Sequence, residues 1–196
     1  MENNIVVHFT GGVSLKEKKR VKIYFGAPLF SNAELYYNAN LAQRIKFRFG
    51  QDASIYLPQE NESINDKSGY ADSEMIYDGD NEWLDDADVL IALIDGQTMD
   101  IGLATEIGRF AKIAELSNDE KIIIGLYTDS RQGTYGNQQK IDALDEIAES
   151  QFSYVNLYTV GAIKSNGVMV RSEEELIDVL DTFIFDKKMK NKGSVE

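Results

Sequence analysis

The chain contains no cysteine and a single histidine in 196 residues. That excludes a disulfide framework, a thiol nucleophile and a Cys/His zinc site. Cations are scarce as well: 20 Lys and Arg stand against 33 Asp and Glu, for a net charge of −13. Such a chain repels phosphate backbones and anionic membrane surfaces, so neither a nucleic-acid nor a membrane partner is expected. No apolar run approaches a membrane span; VLIALI at 89–94 is among the longest. The first residues lack the charged, apolar, small-residue layout of a signal peptide. A cytoplasmic location is the expectation. There is no G-x-G-x-x-G after the first strand and no G-x-x-x-x-G-K-[ST], which argues against a dinucleotide or triphosphate site.

What is present is an ordinary globular mixture, 43% hydrophobic and 27% charged, long enough for one domain with a sizeable core. Residues 1–20 fit no regular pattern and read as a leader or arm, with His8 on its surface. Residues 21–185 read as the domain, and 186–196 as a charged, frayed tail. Strands are expected at 21–27 (VKIYFGA), 53–57, 87–94 (ADVLIALI), 121–127 (KIIIGLY) and 168–170. Helices are expected from Ser31 or Asn32 to Gly50, over 74–85 behind a Ser73 cap, from about Asp100, over 139–150, and from a Ser172/Glu175 capping box. Gly79 weakens the second of these, so Tyr77-Asp78-Gly79-Asp80-Asn81 reads either as helix or as a loop into a shorter one. Residues 152–161 read either as strand or as a helix starting at Asn156, and 59–72 as a polar loop. Strand–helix alternation predicts an α/β fold: a single doubly wound, flavodoxin/Rossmann-like domain with about five parallel strands and ligands at their carboxyl ends.

The chain is organised around 92–110, ALIDGQTMDIGLATEIGRF. It ends a strand, turns through Asp95-Gly96 and enters a helix carrying Gly102 and Glu106 on one face. The residues at or past the strand ends are Tyr24, Gly26 and Phe30; Gln59 and Glu60; Tyr77, Asp78 and Asp80; Asp95, Asp100 and Glu106; and Asp129 and Arg131. This mouth is acidic and aromatic, which suits a neutral, ring-bearing ligand such as a sugar or nucleoside. Two carboxylates can cleave a glycosidic bond, one as nucleophile and one as acid. Glu106 lies near a helix start, where the dipole favours its charge. Crowding by Glu106 and partial burial would raise the pKa of Asp80. On the residues alone, caps and solvated faces explain these acids as readily, and Gly102 and Gly108 as close helix–strand packing.

Four segments, in order, resemble the nucleoside 2-deoxyribosyltransferase family: KIYFGAPLF (22–30), YDGDN (77–81), DIGLATEIGRF (100–110) and VNLYTVG (155–161). The resemblance implies Glu106 as the nucleophile on C1′ of a 2′-deoxyribonucleoside, with a covalent deoxyribosyl-enzyme and net retention. It implies Asp80 as the proton donor and acceptor for the leaving and incoming bases, and Tyr24 as the residue orienting Glu106. Asp100 would accept from the sugar 5′-hydroxyl, Asn156 would reach that hydroxyl from a neighbouring subunit, and Phe30 would line the base pocket. Gly26, Gly102, Gln59 and Asp78 complete the expected substrate-binding set. The implied partners are 2′-deoxyribonucleosides and free nucleobases, with a homo-oligomer, dimer or hexamer, sharing its active sites. No metal or organic cofactor is implied.

Three departures bear on this expectation. The family's Y-x-N-D reads Tyr-Asp-Gly-Asp, so Asp78 competes with Asp80 for the acid role. Tyr158 stands where Met is usual, and 131–153 is longer than in compact members. The alternatives are a 2′-deoxynucleoside 5′-monophosphate N-glycosidase and a non-catalytic nucleoside-binding module on the same fold.

Overall fold

The computed structural model describes residues 20–65, 69–133, 136–147 and 155–193. The expectation for His8, and parts of those for 1–20 and 131–153, lie outside the described residues. Five strands form one parallel sheet: β1 (Val21–Gly26), β2 (Ala53–Tyr56), β3 (Val89–Leu93), β4 (Ile122–Leu126) and β5 (Gly167–Val170), in the order β2-β1-β3-β4-β5. Their apolar, β-branched runs suit strands covered on both faces. The helices are α1 (Asn32–Phe49), α2 (Glu62–Asn65), α3 (Ser73–Asp86), α4 (Ile101–Leu116), α5 (Gln138–Asp142), α6 (Leu157–Ser165) and α7 (Glu173–Gly193).

The two faces of the sheet have separate cores. On one, Leu41, Ala42, Ile45 and Phe49 of α1 and Leu176, Leu180 and Phe183 of α7 pack on Ile23, Phe25, Ile91 and Ile124. On the other, Leu84 of α3, Leu103, Ile107 and Phe110 of α4 and Ile163 of α6 pack on Tyr24, Leu90, Ala92 and Ile123. The chain leaves β1 toward β2 and returns to place β3 on the opposite side of β1. The loops after β1 and β3 therefore diverge, and a crevice opens at the carboxyl ends between them. Among the described residues no helix is long and apolar enough to cross a membrane.

Several local expectations are corrected. α3 runs unbroken through Gly79, and its cap is Asp72, not Ser73: the Asp72 carboxylate accepts from the Met75 amide at 2.8 Å. The helix expected over 139–150 stops at Asp142 and continues as a 3-10 turn, Ala143–Asp145. Among the described residues its apolar stripe meets no sheet face, with Ile147 98% exposed, and an amphipathic helix without a surface to bury against is marginal. Of the two readings of 152–161, the helix prevails: Asn156 caps α6, accepting from the Tyr158 and Thr159 amides. The polar loop at 59–72 holds a 3-10 turn, Pro58–Glu60, and the short α2.

Residues 186–193 of the expected frayed tail are instead the last turns of α7. Lys187 reaches back to Asp88 at the start of β3 (2.6 Å), and Lys188 pairs with Asp52. Asp88 is 6% exposed and also accepts from the Lys22 amide at 2.9 Å, so its charge is met from two sides. Ser31 caps α1 as expected, in a reciprocal capping box with Glu34.

Candidate active site

Parallel register puts Tyr24 of β1 beside Tyr56 of β2. Their side chains emerge on the same face, with ring centroids 5.4 Å apart. Trp83 of α3 stacks on the outer side of Tyr56 at 4.8 Å and 7°. Each tyrosine donates to a carboxylate brought in by a helix. The Tyr24 hydroxyl donates to Glu106 Oε1 of α4 at 2.8 Å. The Tyr56 hydroxyl donates to Asp80 Oδ1 of α3 at 3.0 Å and accepts from Asn61 Nδ2 at 3.0 Å.

Gly26 makes room for the first of these carboxylates. It lies two residues beyond Tyr24 and faces the same side. A Cβ there would sit 2.6 Å from Leu103 Cδ1 and 2.9 Å from Glu106 Oε2. Gly26→Ala is therefore expected to displace Glu106 and cost roughly 100-fold in kcat/KM of any turnover that uses this carboxylate, since about 1 Å of misplacement is enough. Stability should fall by about 1–3 kcal/mol. Chromatographic rates and thermal melts measured side by side check both.

Burial dominates the electrostatics. It pushes the Glu106 carboxyl up to about 7, with the Tyr24 hydrogen bond opposing and the charges of Asp80 and Asp100 adding to the rise. The favourable helix-dipole setting expected for Glu106 is thus outweighed by desolvation beneath Gly26 and by the neighbouring acids. Asp80 is raised too, by burial, with the Tyr56 hydrogen bond opposing. The Tyr24 and Tyr56 hydroxyls are both pushed upward, chiefly by burial, and remain protonated donors.

Helix geometry sends Asp78 and Asp80 in different directions. Two residues apart on a helix is about 200° of rotation. Asp80 turns toward Tyr56 and Asp78 is exposed. Asp100 caps α4, accepting from the Leu103 amide at 2.8 Å, and its carboxylate lies 3.0 Å from where a Cβ on Gly102 would be. Gln59 is held by the loop and helix that follow β1. Its amide donates to Leu35 O (2.9 Å) and accepts from Asn38 (3.1 Å), while Asn38 also donates to Pro28 O. It braces the loop after β1. Phe30, on that loop, is 78% exposed. Arg131 pairs with Asp129 at 2.5 Å. Asn156 lines a groove of about 670 Å³ with Thr98, Met99, Ile101 and Thr105. Tyr56, Asn61 and Trp83 were absent from the expected set. The signal that could have found Tyr56 was its place at the end of a strand adjacent to Tyr24.

The profile for nucleoside 2-deoxyribosyltransferases matches residues 23–179. The chain belongs to the nucleoside 2-deoxyribosyltransferase family. The match begins inside β1 and ends within α7, so it takes in every residue of the tyrosine–carboxylate pairs. A conserved protein of Enterococcus faecalis V583 shares 50% identity over 84% of this chain and 99% of its own, with a TM-score of 0.75. A 2-desoxiribosyltransferase from Leishmania mexicana shares the fold at 20% identity over 84% of this chain and 97% of its own, with a TM-score of 0.52. An uncharacterized protein of Ureaplasma parvum serovar 3 is 28% identical over 149 residues, 72% of this chain and 91% of that protein.

Proposed function

We propose that the protein exchanges nucleobases on 2′-deoxyribose through a covalent intermediate on Glu106. The observation that carries this reading is the Tyr24–Glu106 hydrogen bond beside an inward-turned Asp80. Ionised Glu106 attacks C1′ as the N-glycosidic bond breaks, and the electron pair leaves with the base. Asp80 supplies the proton that the base takes up. A second base then attacks C1′ and gives its N–H proton to Asp80. The ester bond breaks, and its electrons return to Glu106. Two displacements give net retention. The reaction needs one carboxyl charged and the other protonated; burial raises both toward the neutral form, and the charge of Asp80 adds to the rise at Glu106.

Asn156 would serve a neighbouring copy. It sits on an exposed shoulder where Ile101, Leu157 and Tyr158 are 83%, 83% and 87% exposed. Burial of these side chains in a homo-oligomer, dimer or hexamer, would bring it to another copy's sugar site. Deoxynucleoside salvage in the cytoplasm is the role this activity would serve.

The test is incubation with thymidine plus adenine, and with deoxyinosine plus adenine, each with a no-acceptor control. New deoxyadenosine supports the proposal, and the two donors separate purine-only from broad specificity. Free base without deoxyadenosine would redirect it to N-glycoside hydrolysis. Asp100 favours a free 5′-hydroxyl over a phosphate, because two anions about 4 Å apart at an effective dielectric of roughly 20 repel by on the order of 4 kcal/mol. Asp100→Ser keeps a capping oxygen for α4. It should shift the nucleoside-to-monophosphate ratio of kcat/KM toward the monophosphate by up to about 10³-fold. An unchanged ratio would remove Asp100 from the 5′ site.

A further inference from the structure

Asp80 projects from α3. Leu84 is the one buried residue of α3. Leu84, the Trp83–Tyr56 stack and the Asp85–Arg109 pair set the phase of that helix, and the rotamer of Asp80 needs a constraint of its own. The sheet supplies the missing constraint. The Tyr56 ring is clamped between Tyr24 and Trp83, so its hydroxyl has a fixed position. Asn61 donates to that hydroxyl oxygen. The Asn61 carbonyl in turn accepts from the Ser63 hydroxyl at 2.6 Å and the Ser63 amide at 3.2 Å, which sets the orientation of its amide. With that lone pair occupied, the Tyr56 proton is directed at Asp80 Oδ1.

We propose that Tyr56, oriented by Asn61, is the positioning residue that aims the Asp80 carboxylate at the site and sets the pH at which it exchanges its proton. This rests on the base-exchange reading for its consequence in turnover, but its structural half stands alone. A phenol donating to a carboxylate favours the charged form, against the burial that favours the neutral one. The other groups bearing on Asp80 are Glu106 from α4 and the hydroxyls of Tyr24 and Tyr56 from the sheet. Arg109, the cation one turn beyond Glu106, is engaged elsewhere, with Asp85 and Tyr77.

The test is a carbon-13 titration of aspartate-labelled protein, with Asp80 assigned by the signal lost in Asp80→Asn. Tyr56→Phe keeps the ring stack and removes only the hydroxyl. The Asp80 midpoint is expected to rise by about one pH unit, the worth of a charge-assisted hydrogen bond. Asn61→Ala frees the hydroxyl to rotate, and a smaller rise of the same sign is expected. The alkaline limb of the donor-cleavage profile, where Asp80 loses its acid proton, should move up with it. A purely packing role for Tyr56 predicts no change of midpoint in Tyr56→Phe. An Asp80 midpoint unchanged in both variants overturns the proposal, and a displaced midpoint beside an unmoved profile overturns its link to the reaction. If the wild type turns over no deoxynucleoside, the functional reading fails while the titration still decides the positioning. Should Tyr56→Phe not fold, Asn61→Ala decides by itself.

Discussion

Glu106→Gln is expected to lower base exchange by at least about 10⁴-fold, the scale of losing a covalent nucleophile. The amide is nearly isosteric and can still accept from Tyr24, so the pocket, the α4 packing and substrate affinity should survive. The lost step is bond formation to C1′. Mass spectrometry makes the point independently of rate. Wild-type protein quenched during turnover should carry one deoxyribosyl adduct on the peptide containing Glu106, and the variant none. Exchange retained within about tenfold would assign the nucleophile elsewhere.

The same substitution should reverse part of the pH dependence of stability. The Glu106 carboxyl is raised in the fold to about 7, above its ordinary 4.5. The folded protein therefore holds this proton more tightly than the unfolded chain does. Below the unfolded value both states are protonated and the contribution is fully present. As pH rises from 4.5 through 7, the unfolded chain releases its proton first, and the contribution is lost. The loss is roughly 3 kcal/mol, at about 1.4 kcal/mol per pH unit between the unfolded and folded values. Glu106→Gln cannot titrate, so it should be the more stable protein above pH 7 by an amount of that order, on the order of 10 °C in Tm for a domain of this size. The advantage should shrink toward pH 5. Thermal melts of both proteins from pH 5 to pH 8 check it, and parallel curves would show that Glu106 is not strained by burial. An acid that the fold would rather keep neutral is what a nucleophile stored at the expense of stability looks like.

The sheet was easily read from composition, because a strand covered on both faces must be apolar almost throughout, as VLIAL and IIIGL are. The local structure around Glu106 was legible for a related reason: a capping acid at 100, glycine at 102 and a second acid one turn past that glycine leave few other local structures. The exact partners were not. Tyr56 ends an ordinary short strand, and only the in-register pairing of β1 with β2 makes it the twin of Tyr24. Asp78 and Asp80 are equivalent in composition, and the phase of α3 separates them. That phase depends on the Asp72 cap and on Leu84 reaching the core. The misread at 139–150 has the opposite cause, since a correct amphipathic pattern met no surface to complete it.

The two donor tyrosines stand on neighbouring strands that are hydrogen-bonded to each other through the backbone. Adjacent strands are about 4.8 Å apart in any sheet. The separation of the two hydroxyls is thus set by peptide geometry, and the helices need only deliver an acid to each. Such a gauge does not drift with sequence: substitutions scattered over α3 and α4 can retune base choice or surface charge while the two anchor points stay put. Insertions tell the opposite story. One residue added between 21 and 24 or between 53 and 56 would turn its tyrosine to the far face of the sheet and leave its acid unanchored.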